Sequence, residues 1–372
     1  MRVSLEDVCI KGSSNLKQSD VIDKNGEYKI YGASGLIGKV DFFHQEKPYI
    51  AVVKDGAGIG RTMLLPEKSS VIGTMQYILP NEKVTPKYLY YVIRYMHLEK
   101  YFTGATIPHI YFKDYRKEEF NLCNLSEQEK IVSTLSKIEN IITHRRTQLE
   151  KLDLLVKARF VEMFGEPIDN PMGWQIKPLK ESSVLITNGN TPKGGSENYV
   201  DSGIIFLRSQ NVWRNRIDLS DVAFIDEATN KKLKKSIVKH KDILITKTGR
   251  INTENSSLGR AALYLGEDDT ANINGHVYLV RLKDIVVPEF VVTILTGEAY
   301  RKYIRKVCVG GIDKRQINLD QVENFPIIMP PLEQQRAFAD FSNQINKSKV
   351  AVQKALDEAQ LLFDSLMQEY FG

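Results

Sequence analysis

The stretches LSEQEKIVSTL, from Leu125 to Leu135, and PLEQQRAFADF, from Pro331 to Phe341, are two copies of one pattern. A constant shift of 207 residues aligns them and keeps the chain aligned on both sides without a gap. The matched pairs are Gly104 with Gly311, Ile110 with Ile317, Leu125 with Leu332, Gln128 with Gln335, Ile138 with Ile345, Leu149 with Leu356, Leu154 with Leu361, and Phe164-Gly165 with Phe371-Gly372. Self-similarity over this length indicates an internal duplication.

The duplication also divides the chain into domains. Near the start of each copy the shift is smaller, because VSLED at Val3 resembles KPLKE at Lys177, which places Leu5 over Leu179. The second globular half is therefore about 33 residues longer than the first. We predict a globular domain over residues 1–124, a long helix over 125–165, a second globular domain over 166–330 and a second long helix over 331–372.

Each predicted helix carries an apolar stripe with a seven-residue period, which is typical of a coiled-coil seam. Ser126 and Glu129 match a capping box at the first helix start. Each helix should span about 38 residues, or roughly 57 Å at 1.5 Å per residue. The seam positions are Ile131, Leu135, Ile138, Ile142, Leu149, Leu152, Val156 and Met163 in the first copy, and Phe338, Ser342, Ile345, Lys349, Val352, Leu356, Ala359, Phe363, Leu366 and Tyr370 in the second.

Two packing arrangements would bury these stripes, since helices of this kind are not stable alone in water. Each helix could pack only on its own domain, or the two helices could pair as an antiparallel coiled coil. We favour the coiled coil, because neither helix ends in a turn toward its own domain.

The globular halves contain short apolar runs bounded by Gly, Asn and Asp, such as PYIAVV at Pro48 and DILITKTG at Asp242. Such runs are typical of β-strands. Helical stretches follow, TPKYLYYVIRYMHLEKYF at Thr85 and PEFVVTILTGEAYRKYIRKV at Pro288. The fold class that we predict is therefore α+β, with a mixed sheet and side helices in each half.

The composition excludes several classes of protein. Apolar residues make up 42% and charged residues 26% of the 372-residue chain, which is typical of a folded globular protein. No apolar run reaches the about 18 residues of a membrane span, and the first residues lack a signal-peptide pattern. Cys9, Cys123 and Cys308 lie far apart, without a Cys-x-x-Cys pair, which favours the reducing cytoplasm.

Positive charge is concentrated in the second globular half. Residues 227–250 carry eight basic and two acidic side chains, and residues 301–316 carry Arg301, Lys302, Arg305, Lys306, Lys314 and Arg315 against Asp313. A run such as KKLKKSIVKHK on its own is more often a solvated helix face. Two such patches beside polar Gly-containing loops point to a polyanion such as nucleic acid.

Motifs for catalysis are missing from the sequence. We find neither the Walker motif GxxxxGK[ST] nor the HExxH zinc motif, and the six histidines have no ligand spacing. KDGAGIGR, from Lys54 to Arg61, is the best phosphate-loop candidate, although an ordinary β-turn explains it as well. We therefore predict no catalytic, cofactor-binding or metal-binding residues in this chain.

Five further stretches carry a resemblance to a known family. They are YKIYGASGLIG at Tyr28, NPMGWQIKPLKE at Asn170, GIIFLRSQNV at Gly203, DILITKTG at Asp242 and GGIDKRQINLDQVENFPIIMPPLEQQ at Gly310. Together with the doubled helix ending in Phe-Gly, they resemble the specificity (S) subunit of type I restriction-modification systems. The resemblance covers the whole chain. It implies two target-recognition domains joined by the coiled coil.

The resemblance also implies a function. The chain would be a non-catalytic subunit in a bacterial or archaeal cytoplasm that reads a bipartite site in double-stranded DNA, one half per domain, with a spacer set by the coiled coil. Two modification subunits carrying S-adenosylmethionine would dock on the helices and methylate adenine, and restriction subunits could join. Two similar domains on antiparallel helices would share a pseudo-two-fold axis that matches the dyad of duplex DNA. The rivals are a scaffold without a DNA role and a stand-alone enzyme with an unrecognised site.

Candidate DNA contacts follow from side-chain chemistry. Arg and Lys can bind guanine edges or phosphates, and Asn and Gln can bind adenine edges. In the first domain the candidates are Ser34, Lys54, Arg61, Thr106 and His109. In the second domain they are Arg208, Gln210, Asn211, Trp213, Lys247, Arg250, Lys314, Arg315 and Gln316.

Overall fold

The computed structural model describes residues 1–21, 24–104, 108–192, 194–253 and 255–372. The chain forms two compact units. Unit 1 contains Met1–Gln148 and Val352–Gly372, and unit 2 contains Leu149–Ala351. Each long helix therefore contributes one part to each unit.

Unit 1 contains two sheets, a two-stranded ribbon and helices. The strands β2, β8, β5 and β6 form an antiparallel sheet in that order, and β4, β3 and β7 form a second sheet in which β3 and β7 are parallel. The elements are β1 (Arg2–Ser4), β2 (Cys9–Ser13), β3 (Tyr28–Gly32), β4 (Gly35–Val40), β5 (Tyr49–Val53), β6 (Thr62–Leu65), β7 (Ser69–Val71), β8 (Met75–Pro80), α1 (Pro86–Tyr95), α2 (Phe112–Tyr115), β9 (Glu119–Asn121) and the start of α3 (Leu125–Phe164).

Unit 2 contains the remaining elements. They are β10 (Ile176–Pro178), β11 (Ser183–Asn188), β12 (Ile204–Leu207), β13 (Val212–Trp213), β14 (Arg216–Ile217), β15 (Ala223–Ile225), α4 (Glu227–Lys232), β16 (Ile237–Val238), β17 (Ile243–Thr246), β18 (Thr248–Arg250), β19 (Ala261–Leu263), β20 (Ala271–Ile273), β21 (Val277–Leu282), α5 (Pro288–Thr296), α6 (Glu298–Val307), β22 (Val309–Gly310), β23 (Lys314–Gln316), α7 (Leu319–Glu323), β24 (Pro326–Ile328) and the start of α8 (Leu332–Phe371).

The sheets of unit 2 repeat those of unit 1. The order β11-β21-β17-β19 matches β2-β8-β5-β6, and the antiparallel pair β12/β15 with the parallel pair β12/β20 matches β4-β3-β7. The ribbon β10/β24 matches β1/β9. This shared topology confirms the internal repeat and the mixed α+β class.

Alternating side chains place the central strand of each unit between two cores. In β5, Ile50 and Val52 face the helices, whereas Tyr49, Ala51 and Val53 face the second sheet. In β17, Ile243 and Ile245 face the helices and Leu244 faces the other side. A strand that is buried on both faces reads as a continuous apolar run, which explains PYIAVV and DILIT.

The extra length of the second copy lies mainly in three connections. The turn at residues 33–34, between β3 and β4, corresponds to residues 208–222 between β12 and β15. Residues 41–48 correspond to 226–242, and residues 54–61 correspond to 247–260. These insertions add the β13/β14 hairpin, α4, β16 and β18 to unit 2.

The helices α3 and α8 pack together in antiparallel directions. In unit 1, Leu135 of α3 shares a core with Phe363 of α8, and Arg146 donates to Gln360 Oε1 over 3.3 Å. In unit 2, Lys349 Nζ lies 2.6 Å from Asp153 Oδ1. The partner number on α8 thus falls as the number on α3 rises. This pairing confirms the predicted antiparallel coiled coil.

Each helix also packs on the globular part of its unit, so the two predicted arrangements coexist. The α1 side chains Tyr88 and Tyr91 join α3 and α8 in one core. All predicted seam positions are buried or half-buried, and α3 and α8 are each 40 residues long. The capping box at Ser126 is wrong, because α3 begins at Leu125 and the Glu127 amide donates to Asn124 Oδ1 over 2.9 Å.

The doubled Phe-Gly endings close the helices inside the cores. Phe164 packs edge-on against Phe290 of α5, with ring centroids 4.9 Å apart, and Phe371 packs against Tyr88 of α1 at 5.5 Å. Gly165 has φ +71°, a left-handed conformation that commonly ends a helix and favours glycine. Phe164 therefore anchors the end of α3 on α5, and Phe371 anchors the end of α8 on α1.

A buried glutamine ties the start of each long helix to its globular part. Gln128 is fully buried; its Oε1 accepts from the Thr85 amide at 2.9 Å, and its Nε2 donates to the Lys83 and Cys123 carbonyls. Gln335 accepts from the Val287 amide at 3.0 Å and donates to the Pro330 carbonyl at 2.8 Å. Because the two glutamines are equivalent in the repeat, the duplication preserved this contact.

Within the described residues, no helix combines the length and the apolar character that a membrane span would need.

Candidate nucleic-acid interface

The candidate residues lie on three connections that occupy equivalent places in the two units. In unit 1 these are the β3–β4 turn, the β5–β6 loop and the segment around His109. In unit 2 they are the β12–β15 connection, the β17–β19 connection and the β22/β23 ribbon. The described candidates of each unit are therefore grouped at the corresponding edge of the repeated fold.

Lys54 and Lys247 are equivalent residues with the same backbone environment. Each directly follows the central strand of its unit. The Lys54 amide donates to the Thr74 carbonyl at 3.0 Å, and the Lys54 carbonyl accepts from the Ile110 amide. In the same way, the Lys247 amide donates to the His276 carbonyl at 2.9 Å, and the Lys247 carbonyl accepts from the Ile317 amide. The fold thus presents one lysine from the same point of both units.

In unit 1, Asp55 links the candidates Lys54 and His109. Asp55 Oδ1 lies 2.6 Å from His109 Nδ1, and Asp55 Oδ2 lies 3.9 Å from Lys54 Nζ. Arg61 is exposed and donates to the Ala33 carbonyl at 3.0 Å, beside Ser34 in the β3–β4 turn. Ser34, Asp55 and Arg61 line one cavity of about 310 Å³.

Four of the five candidates in unit 1 are therefore neighbours. The fifth, Thr106, lies outside the described residues.

In unit 2, five candidates lie in or next to a small antiparallel sheet of β18, β23 and β22. Arg250 is opposite Lys314 and Gly249 is opposite Arg315, while Lys247 directly precedes β18. Arg250 Nε lies 3.3 Å from Asp313 Oδ2, but both side chains are mostly exposed. Gln316 donates to Asn318 Oδ1 at 3.2 Å. The surface is basic and polar, as contacts with DNA require.

The candidates of the β12–β15 connection differ in their accessibility. Arg208 donates to the Asp221 carbonyl at 2.9 Å, and Gln210 donates to Asp221 Oδ2 at 2.7 Å. Asn211 is only 2% exposed; it accepts from the Arg208 amide and donates to the Asp218 and Asp221 carbonyls. The Asn211 side chain is thus occupied in holding the loop, and a base contact would break those bonds.

Trp213 stacks with an arginine that sequence reasoning missed. The Arg260 guanidinium carbon lies 4.0 Å from the Trp213 ring centroid, a cation–π contact, and Arg260 is only 8% exposed. Arg260 Nε donates to the Ser256 carbonyl at 3.0 Å. Burial, and then the neighbouring Arg214, lower the pKa of Arg260. Trp213 is partly exposed beside this buried charge.

The repeat contains a signal that would have found Arg260. Arg61 and Arg260 each directly precede the edge strand of the first sheet, and their carbonyls accept from Val53 and Thr246, each over 2.9 Å. Each follows a left-handed glycine, at φ +80° and +66°. The dipeptide Gly-Arg in GAGIGRTM and SSLGRAAL marks this equivalence.

Across the described ranges, no group of three or more His, Cys, Asp or Glu side chains is arranged to hold a metal ion.

Comparison with known proteins gives a consistent result. The family described as type I restriction modification DNA specificity domain matches residues 1–152 and 171–359, one match per copy of the repeat. The MjaVIII type I restriction enzyme specificity subunit of Methanocaldococcus jannaschii is 24% identical over 329 residues, covering 82% of this chain and 76% of that protein. The MjaIX specificity subunit of the same organism is 24% identical over 318 residues, covering 78% and 69%.

Solved structures share the fold. The S subunit of a type I restriction-modification system from M. genitalium superposes with a TM-score of 0.63 at 15% identity, covering all of this chain and 96% of that one. A chain of the type I R-M system, solved to describe complex assembly and conformational transition, gives a TM-score of 0.53 at 16% identity and covers 100% and 97%. The chain belongs to the type I restriction-modification DNA specificity family, as a non-catalytic specificity subunit.

Proposed function

We propose that this subunit reads a bipartite site in double-stranded DNA, one half-site per unit, with an unspecified spacer whose length depends on α3 and α8. The observation that carries the proposal is the pair of equivalent edges, where Lys54 and Lys247 stand in the same backbone frame. The side chains around them differ, with His109 in one unit where Gln316 stands in the other. Similar frames with different side chains would read two different half-sites.

The exposed polar side chains have the chemistry of base and phosphate recognition. Arg250, Lys314 and Arg315 can bind guanine O6 and N7 or phosphate oxygens, and Gln316 can bind adenine N6 and N7. In unit 1 we propose contacts with bases or phosphates for Ser34, Lys54, Arg61, Thr106 and His109. In unit 2, Lys247 and Trp213 complete the set with Arg208 and Gln210, whereas Asn211 holds the loop.

The long helices offer two equivalent docking patches. Leu154 and Leu155 on α3 are exposed, and so are Leu361 and Leu362, which are their counterparts on α8. Adjacent exposed leucines are unusual on a monomer surface and suit a protein partner. We propose that one modification subunit binds at each patch, so that two subunits carrying S-adenosylmethionine methylate adenine, and that restriction subunits join the same complex.

The test of the proposal is a domain exchange. Residues 1–124 are replaced by the corresponding domain of a relative, and methylated adenines are mapped across the host genome. Only one half of the methylated site should change. A change in both halves would contradict independent reading.

Salt-dependent binding of duplex DNA separates this proposal from a scaffold without a DNA role. Contacts with phosphate make affinity fall steeply as salt rises. A complex that assembles normally but does not bind labelled duplex at any salt concentration would favour the scaffold. Methylation by the isolated chain would favour the stand-alone enzyme.

A further inference from the structure

Unit 2 contains a group of arginines around Trp213 that the candidate contacts leave unexplained. We call it the arginine cluster: Arg214, Arg216, Arg260, Arg301 and Arg305. Arg216 lies in the β13/β14 hairpin opposite Trp213, with its guanidinium carbon 5.7 Å from the ring centroid. Arg260 lies 4.0 Å from the same centroid. One indole ring therefore organises two guanidinium groups.

Contacts around Asn215 and Thr253 bring the other arginines to the same surface. The Asn215 amide donates to the Ala261 carbonyl at 2.9 Å, next to Arg260, and its Oδ1 accepts from Thr296 at the end of α5, over 3.2 Å. Arg305 on α6 donates to the Thr253 carbonyl at 3.4 Å. Thr253 belongs to the same loop as Ser256, whose carbonyl accepts from Arg260.

Among the described residues, arginines outnumber the carboxylates that pair with this cluster. Two described carboxylates make ion pairs with it: Asp218 lies 3.6 Å from Arg216, and Glu298 lies 3.7 Å from Arg301. In the described part of the chain, no carboxylate forms an ion pair with the buried Arg260. Burial, and then Arg301, lower the pKa of Arg214. Partly buried guanidinium groups that repel one another favour an anionic partner.

The surroundings identify which anion fits. Ser257 Oγ donates to the Thr248 carbonyl at 2.7 Å, so the loop that holds Arg260 adjoins β18 and the basic sheet. We propose that the arginine cluster binds the phosphate backbone of duplex DNA beside the bases that the sheet contacts. The inference rests on the proposed function and adds phosphate anchoring to it.

The cluster would also make the two units unequal. The β13/β14 hairpin belongs to the 208–222 connection, which corresponds to the turn at residues 33–34 in unit 1. Arg61, the counterpart of Arg260, is exposed and bonds to Ala33. Unit 2 would therefore hold its half of the DNA with more phosphate contacts than the hairpin-free turn of unit 1 allows. Phosphate contacts position a protein without reading sequence.

The test compares two variants of the full chain, each assembled with its modification subunits. Arg214→Gln with Arg305→Gln removes two charges from the cluster. Lys180→Gln with Lys283→Gln removes two exposed charges from unit 2 and is the matched control, because Lys283 follows the end of β21 that lies away from Lys247. Fluorescence anisotropy gives the affinity for a duplex with the methylated site and for a scrambled duplex, at 50, 100 and 200 mM salt.

The cluster variant should have a shallower salt dependence. Each phosphate contact adds about 0.9 to the slope of log affinity against log salt, so the loss of two contacts lowers the slope by about 1.8. Between 50 and 200 mM, wild type should then lose roughly tenfold more affinity than the variant. Both duplexes should weaken by the same factor, and the control should keep the wild-type slope.

The chain has two tryptophans, so Trp174→Phe leaves Trp213 as its only tryptophan, and the tryptophan emission is followed in the full chain without modification subunits. Its fluorescence should change on titration with either duplex. A cluster variant with the slope of the control would overturn the phosphate site, and loss confined to the methylated site would replace it with base reading. If wild type shows no preference for its site while the variant slope still falls, the proposed function fails and the phosphate site stands.

Discussion

Replacing Gln128 by leucine should detach the start of α3 from the globular part of unit 1. The glutamine amide satisfies one partly buried backbone donor, Thr85 N–H, and two partly buried carbonyls, of Lys83 and Cys123. Leucine has similar bulk but leaves these groups without their partner. An unsatisfied buried polar group costs about 1–3 kcal/mol, and these three groups are only partly buried, so the low end of that range applies to each and the variant should lose about 3 kcal/mol of local stability.

Gln335→Leu should produce the same defect in unit 2. It removes the partners of the Val287 amide and the Pro330 carbonyl, and we expect a loss of about 2–4 kcal/mol. Gln353→Leu is the matched control on α8, because Gln353 is exposed and its side chain bonds to Asp357 one turn away, over 2.8 Å. The control should change stability by less than about 0.5 kcal/mol.

Hydrogen exchange followed by mass spectrometry measures the effect where it occurs. A local loss of about 3 kcal/mol should speed exchange at the Thr85 amide on the order of a hundredfold in Gln128→Leu. In Gln335→Leu, hydrogen exchange at the Val287 amide should become faster in the same way. Wild-type protection of both amides in their respective variants would refute the reasoning that these glutamines attach the helices.

Four other changes have expected outcomes. Arg281 forms a 2.7 Å ion pair with the buried carboxylate of Asp242, and Arg281→Met leaves that carboxylate unpaired. The free energy of unfolding in urea should therefore fall by about 3–5 kcal/mol, and a loss below about 1 kcal/mol would contradict this. Burial raises the pKa of the Cys9 thiol to about 12, so at pH 8 it should resist alkylation in the folded chain and react in urea, whereas equal rates would show that it is accessible. Charge reversal at Lys314 and Arg315 should abolish methylation while assembly with modification subunits persists; normal methylation would exclude that loop from the interface. Removing one heptad from each long helix shortens each by about 10 Å, or about three base pairs, and methylation should collapse because the half-sites rotate out of phase; an unchanged spacer at full activity would exclude the helices as the ruler.

The repeat and the helices could be predicted from the sequence because they are periodic. Leu135 and Phe363 repeat with their neighbours every seven residues, and periodic burial does not depend on the rest of the fold. The first residue of α3 is harder to predict, since Asn124 and Ser126 are both good caps. Tertiary contacts of Gln128 favour the start that Asn124 caps. The two packing arrangements were not alternatives, because a stripe wider than a seam contacts a partner helix and a sheet at once.

The grouping of the candidate contacts at one edge of each unit could be predicted in outline but not residue by residue. Charge is the reason to select Lys247 and Arg315, and the structure places Arg315 in β23 and Lys247 directly before β18 of the same sheet. Asn211 has the chemistry of an adenine contact, yet its burial follows from the path of the whole 208–222 connection, which a single sequence does not give. Sequence reasoning omits Arg260 for the converse reason: its stacking depends on Trp213, which lies on another connection.

Mapping methylated adenines by single-molecule sequencing tests the central claim most directly. The host expresses this subunit with its modification subunits, and a matched strain lacks only this subunit. We predict two short, unequal half-sites separated by an unspecified gap of about five to eight base pairs, since half-sites read from one face lie about one helical turn apart. Every such methylation should disappear without the subunit. A contiguous site, or the same methylation in both strains, would contradict the account.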